Sequence, residues 1–230
     1  MKRILLAVTV LAACALVPGA TAHKPPHKPP PDKPPKERGK PNRQPASLSL
    51  TVTPNPVKYG RSATISGTLT EPSNSGRTIT LREDPFPFDS FSNVGSTDTE
   101  GQGNYSFVRS PTVNTNYLVR RGGAESATVT VGVSPTISLR FGDRTPAAGK
   151  RVRLSGKICP EHDGGTLEIQ RRKAPKQWHT VARVTLADAG ACSSYARRMR
   201  LRRDGTYRTF LAADSDHAAA RSRVRRIDVH

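Results

Sequence analysis

The side chains whose types and spacing bear on chemistry are three cysteines, six histidines and 37 lysines and arginines. Cys159 and Cys192 stand 33 residues apart, without C-x-x-C spacing. Only His162 lies close enough in sequence to assist a thiolate, so an even pair of this kind reads as one structural disulfide rather than a redox or catalytic pair. Closing such a loop stabilises by roughly 3 to 4 kcal/mol in the chain-entropy picture. His23 and His27 are spaced for metal binding, but they sit among prolines and lysines that neither fix ligand geometry nor favour a cation. His162, His179, His217 and His230 are scattered singly, so no metal site is expected. Asp98-Thr99-Glu100-Gly101-Gln102-Gly103 has the opening of a calcium loop without its distal bidentate Glu. A hairpin turn is expected there instead. The chain carries no G-x-S-x-G elbow, H-E-x-x-H pair or P-loop, and no persuasive pair of carboxylates. The reading is therefore of a non-enzyme with no catalytic residue, metal or cofactor.

Two features point to binding. The run Glu83-Asp84-Pro85-Phe86-Pro87-Phe88-Asp89-Ser90-Phe91 carries more aromatic rings than a small core needs. Phe86 and Phe88 are the surplus, and rings on a loop tip stack on sugar faces or anchor in a partner's pocket. The second feature is a set of cations, Arg171-Arg172-Lys173, Lys176, Arg197-Arg198, Arg200, Arg202-Arg203 and, further on, Arg221, Arg223 and Arg225-Arg226. On a strand every second residue shares a face, so Arg198, Arg200 and Arg202 are expected to form one solvent-side ladder, with Arg171 and Arg172 as further candidates for anion binding. Like charges on one face repel, and an anionic polymer relieves that repulsion.

The elements that must position these groups follow from composition shifts along the chain. Residues 1–22 open with Met1-Lys2-Arg3, continue through an apolar stretch, and end in Ala20-Thr21-Ala22. This is the pattern of a secretory signal peptide, too short for a membrane span. Leu11-Ala12-Ala13-Cys14 resembles a lipobox, and a lipidated Cys14 is the alternative to release after Ala22; only that alternative implies contact with a membrane. Residues 23–46 hold nine prolines and a net charge of +5. They read as an extended, disordered stalk of roughly 70 Å. Residues 47–134 are electrically neutral, whereas residues 135–230 carry +12. The basic excess thus belongs to the stalk and the last segment, where it attracts anionic polymers through a salt-screened field.

A repeat divides the rest into two modules, 47–134 and 135–230. Gly60 precedes Ser66-Gly67 as Gly149 precedes Ser155-Gly156, and Asp98 precedes Tyr105 and Tyr117 by the same intervals as Asp188 precedes Tyr195 and Tyr207. Between these landmarks the pattern has period two, as in Thr78-Ile79-Thr80-Leu81 and Val152-Arg153-Leu154. Several short strands per module predict an all-β fold of two tandem β-sandwiches. Phe91 and Trp178, each three residues before a valine, are expected to fill the space between sheets. The cysteines lie only in the second module, opposite Thr70 and Gln102 of the first, so the disulfide is a local addition.

With its Gly-(five residues)-Ser-Gly strand, its Trp/Phe-x-x-Val strand and its Asp-to-Tyr spacing, the segment 47–230 resembles the immunoglobulin-like repeats of secreted actinobacterial and other Gram-positive surface proteins. That resemblance implies an immunoglobulin-like fold and service as a spacer, an adhesion module or an accessory domain. The combined expectation is a secreted, extracellular or envelope-associated protein, non-enzymatic, whose basic module contacts an anionic cell-wall polymer or polysaccharide. A protein partner fits the same surface; nucleic acid does not fit the compartment. The alternative is a carbohydrate-binding module working through Phe86 and Phe88.

Overall fold

A computed structural model describes residues 45–230. The leader, nearly all of the stalk, Cys14, His23 and His27 lie outside the described residues. Apart from one turn of 3-10 helix at Gly101–Gly103, the regular elements are strands. Among the described residues no helix is long and apolar enough to cross a membrane.

Each module folds as two facing sheets, and alternation decides which side chains lie between them. In the first module, strand Ala63–Thr70 is central to one sheet. It pairs with Ser47–Leu48 and Thr51–Thr53 on one side and with Asn104–Arg109 on the other. The second sheet runs Val129–Val131, Thr115–Arg121, Thr78–Pro85, Ser92–Asp98. Ile65, Leu69, Ile79, Leu81, Tyr117 and Val119 meet between them. The second module repeats the plan. Arg151–Cys159 is flanked by Thr136–Ile137 with Arg140–Phe141 and by Ser193–Arg200, while Thr166–Ala174 lies between Gln177–Thr185 and Gly205–Leu211. This arrangement of antiparallel neighbours is that of an immunoglobulin-like sandwich. Cys159 and Cys192 form the expected disulfide, tying the end of one strand to the turn before its neighbour.

The repeated glycines and tyrosines have one job. Gly67 stands directly across from Tyr105, and Gly156 from Tyr195. Each tyrosine hydroxyl passes over its glycine and donates to a carbonyl in the break of the interrupted first strand, Tyr105 to Ser49 and Tyr195 to Ser138, the latter at 2.7 Å. A Cβ on Gly156 would lie 2.7 Å from the Tyr195 hydroxyl and overlap the Ser138 carbonyl oxygen. Glycine is therefore required for lack of space, because the first strand is pulled against the sheet there. Burial also pushes both hydroxyls up to about 12, which keeps them as donors.

Two expectations are corrected. The segment Asp98–Gly103 is not a hairpin turn. It crosses from one sheet to the other, since Ser92–Asp98 pairs with Thr78–Pro85 while Asn104–Arg109 pairs with Ala63–Thr70. Phe91 and Trp178 do not enter the core. In both modules the register shifts beside the valine that follows them, between Leu81 and Arg82 and between Ile169 and Gln170 on the facing strand. The bulged Val94 and Val181 pack inward, and the extra residue reverses the parity of what precedes it. Trp178 thereby pairs with Arg172 on the outer face.

The modules meet through backbone. The Asn114 amide donates to the Asp216 carbonyl at 2.7 Å and the Ala218 amide to the Val133 carbonyl at 2.8 Å.

Candidate functional site

The cations of the second module occupy two separate faces. On strand Arg151–Cys159 the inward residues are Val152, Leu154 and Ile158, so Arg151, Arg153 and Lys157 face solvent. The neighbouring strand places Arg200 opposite Arg151 and Arg198 opposite Arg153. Arg140 joins the same face from the other side, opposite Ser155. Among the described residues these six cations make no ion pair with a carboxylate. A shallow groove of about 560 Å³ crosses this face, lined by Arg140, Arg153 and Lys157 together with Ser138, Ser155 and Ser194. Cations interleaved with hydroxyl donors suit a polyanion whose oxygens are spaced along a chain.

The sequence-level ladder is thus partly rearranged. Arg198 and Arg200 share the face as expected, but the strand ends at Arg200 and Arg202 falls in the following turn. The ladder is completed sideways, by Arg151 and Arg153, rather than along its own strand. The alternation of Arg151, Arg153, Ser155 and Lys157 was visible in the sequence; their partner strand was not.

Arg171 and Arg172 lie on the opposite sheet. Arg171 donates to the Asp204 carbonyl at 2.6 Å, and with Arg172, Lys173, His179 and Arg203 it borders a second depression of about 610 Å³. Arg172 is engaged with an aromatic ring. Its guanidinium lies 5.1 Å from the centre of the Trp178 ring, Arg208 lies 4.2 Å from the same centre, and Arg221 lies 5.2 Å from Phe210. Arg208 also donates to Gln170 at 2.8 Å, and Gln170 in turn to Glu168 at 3.0 Å. Burial first, then the neighbouring Arg221 and Arg172, lowers the Arg208 pKa. Hydrogen bonds from Thr180 and Gln170, with Arg183 beside them, hold the Glu168 carboxyl below its ordinary range. Arg171, Arg172, Arg208 and Arg221 of this face are thus held by stacking and hydrogen bonds, and are less free for a ligand than the cations of the other sheet.

In the first module Phe86 and Phe88 sit in the 86–91 turn, their rings edge to face with centres 5.7 Å apart. Phe88 takes a left-handed backbone (φ 68°) and is 37 % exposed, whereas Phe86 is half-buried. One ring is therefore presented, not two. Phe91, set aside for the core, instead stacks under Arg82 at 5.7 Å.

Sequence reasoning missed the histidines. His162 and His217, 55 positions apart in the chain, bring their rings to 4.8 Å from one another beside Asp214. Only the closing of the second sandwich makes them neighbours.

No family model matches this chain, and no curated protein matches it. Among solved structures it is similar to a marsupial T cell receptor, at 8 % identity and a TM-score of 0.30, covering 80 % of this chain and 99 % of that one.

Proposed function

We propose that this is a secreted, non-enzymatic surface or envelope protein in which two immunoglobulin-like modules act as an adhesive spacer and the second holds an anionic envelope polymer. The all-β sandwich fold and the disulfide are typical of extracellular binding and structural modules. The observation that carries the ligand class is the outward face on which Arg151 opposes Arg200 and Arg153 opposes Arg198. Like charges placed directly across a strand pair destabilise a sheet. Phosphate or carboxylate groups along a polymer would remove that cost and gain charge-assisted hydrogen bonds.

Co-sedimentation of the full chain with purified cell envelope, at low and high ionic strength, tests the reading. Binding at low salt should be released by salt and lost in the double variant Arg153→Glu/Arg198→Glu, with Phe88→Ala binding like the natural chain. Salt-insensitive binding that disappears with Phe88→Ala would instead support recognition of neutral sugar by the aromatic turn. Unaltered binding by the charge-reversed chain would sink the anionic-polymer assignment.

A further inference from the structure

We propose that His162, His217 and Asp214 bind a divalent transition-metal ion of the zinc type, which braces the second-module loop that contacts the first sandwich.

The histidine tautomers carry the argument. His162 Nδ1 lies 2.9 Å from the Pro160 carbonyl oxygen, and His217 Nε2 lies 3.0 Å from the Thr112 carbonyl oxygen. A carbonyl only accepts, so each of those nitrogens carries the proton. In the neutral ring the other nitrogen, Nε2 of His162 and Nδ1 of His217, therefore holds a lone pair. Both are buried and have no hydrogen-bond partner. The side chains are 7 % and 5 % exposed, so water does not readily satisfy them.

What those lone pairs face is negative. His162 Nε2 is 3.5 Å from Asp214 Oδ2, and His217 Nδ1 is 3.3 Å from Asp216 Oδ2 and 4.0 Å from Asp214 Oδ1. The carboxylate oxygens lie beside the axes of these lone pairs rather than on them, as they would around a shared cation, and without a cation the negative groups repel. Donor atoms about 2.0–2.1 Å from a tetrahedral ion lie about 3.3–3.4 Å apart; the His162–Asp214 edge is already 3.5 Å, and the other edges close by less than about 1.5 Å as the ion draws the ligands in. The three donor atoms all fall within 4.8 Å of one another. A second proton on each ring is the competing way to satisfy these nitrogens. It would place two imidazolium rings 4.8 Å apart, with neither nitrogen in hydrogen-bonding geometry to a carboxylate.

Two imidazoles and a carboxylate select a borderline ion such as Zn²⁺ over Ca²⁺ or Mg²⁺, which take oxygen ligands. The carbonyls of Pro160 and Thr112 act as the outer partners that orient metal-bound imidazoles. Asp214 and Asp216, at 42 % and 38 % side-chain exposure, leave a solvent path, and water fills the fourth position. The placement has a mechanical consequence. Thr112 belongs to the first module, and residues 214–219 carry the backbone bonds to Asn114 and Val133. An ion holding Asp214 and His217 to His162 fixes that loop against the second sandwich and, through it, the junction.

The test is a titration of the metal-stripped full chain, disulfide oxidised, with Zn²⁺, and with Co²⁺ as a spectroscopic probe. We expect one equivalent of Zn²⁺, a tetrahedral Co²⁺ absorption band, and a Tm that rises with the metal. Asp214→Asn, whose side-chain oxygen still accepts from the His217 amide, and His217→Gln should each weaken binding at least ~10-fold, the scale set even by loss of an outer partner. His179→Ala and His23→Ala/His27→Ala should bind as the natural chain does. Absence of binding, equal binding by Asp214→Asn and His217→Gln, or binding lost with His23 and His27 would overturn the proposal. Envelope binding through the arginine face is a separate readout and survives either result.

Discussion

At the scale of single residues, each module depends on a glycine whose missing side chain makes room for a tyrosine hydroxyl. Gly156 leaves room for the Tyr195 hydroxyl to reach the Ser138 carbonyl, and Ser138 in turn exchanges bonds with Lys157 across the strand, its hydroxyl accepting from the Lys157 amide at 2.9 Å. Gly67, Tyr105, Ser49 and Thr68 repeat the arrangement. The two substitutions that disturb it should differ in kind. Gly156→Ala must push the first strand away and should cost about 1–3 kcal/mol or more, as overpacking does. Tyr195→Phe only leaves a carbonyl without its donor and should cost about 1–2 kcal/mol. Urea denaturation of both variants measures this; an Ala variant as stable as the natural chain would show that the strand is not held as described.

At the scale of elements, the β-bulges decide what each sheet presents outward. Because the bulged Val181 turns inward, Trp178 is set on the outer face, where the Arg172 and Arg208 guanidiniums both pack on its ring and Gln170, Glu168 and Thr180 extend the network. Trp178→Ala should destabilise the protein by about 1–3 kcal/mol, through lost cation–π contacts and lost packing of the arginine stems. It should leave envelope binding intact, because the proposed ligand face is the other sheet. Trp178 is the sole tryptophan, so its fluorescence reports unfolding of the second module directly in the natural chain, and circular dichroism serves for the variant. Loss of envelope binding in Trp178→Ala would move the ligand to the Arg172–Arg208 side.

At the scale of the whole molecule, Asn114 is where the modules are tied. Its side chain accepts from the Val133 amide at 2.9 Å and donates to the Ser215 carbonyl at 3.3 Å, while its own amide reaches Asp216. Asn114→Ala should lower the stability of the junction by about 1–2 kcal/mol through the unpaired Val133 amide. Calorimetry should then resolve two unfolding transitions further apart than in the natural chain. Transitions that stay superimposed would mean that the modules unfold together for another reason.

Period-two alternation, the paired spacings of Ser-Gly and Tyr, and the two cysteines were enough to read a tandem sandwich with one disulfide, because strand alternation and loop closure are properties of the chain itself. Phe91 and Trp178 were misread because one extra residue in a strand reverses its parity, and a bulge leaves no mark in composition. The arginine ladder was half legible: Arg198 and Arg200 share a face by local geometry, but Arg151 and Arg153 join them only through antiparallel register with a strand more than 40 residues away. The His162–Asp214–His217 cluster was hidden altogether. Its members come from two loops that approach only when the sandwich closes, and their tautomers are set by carbonyls, one of them in the other module.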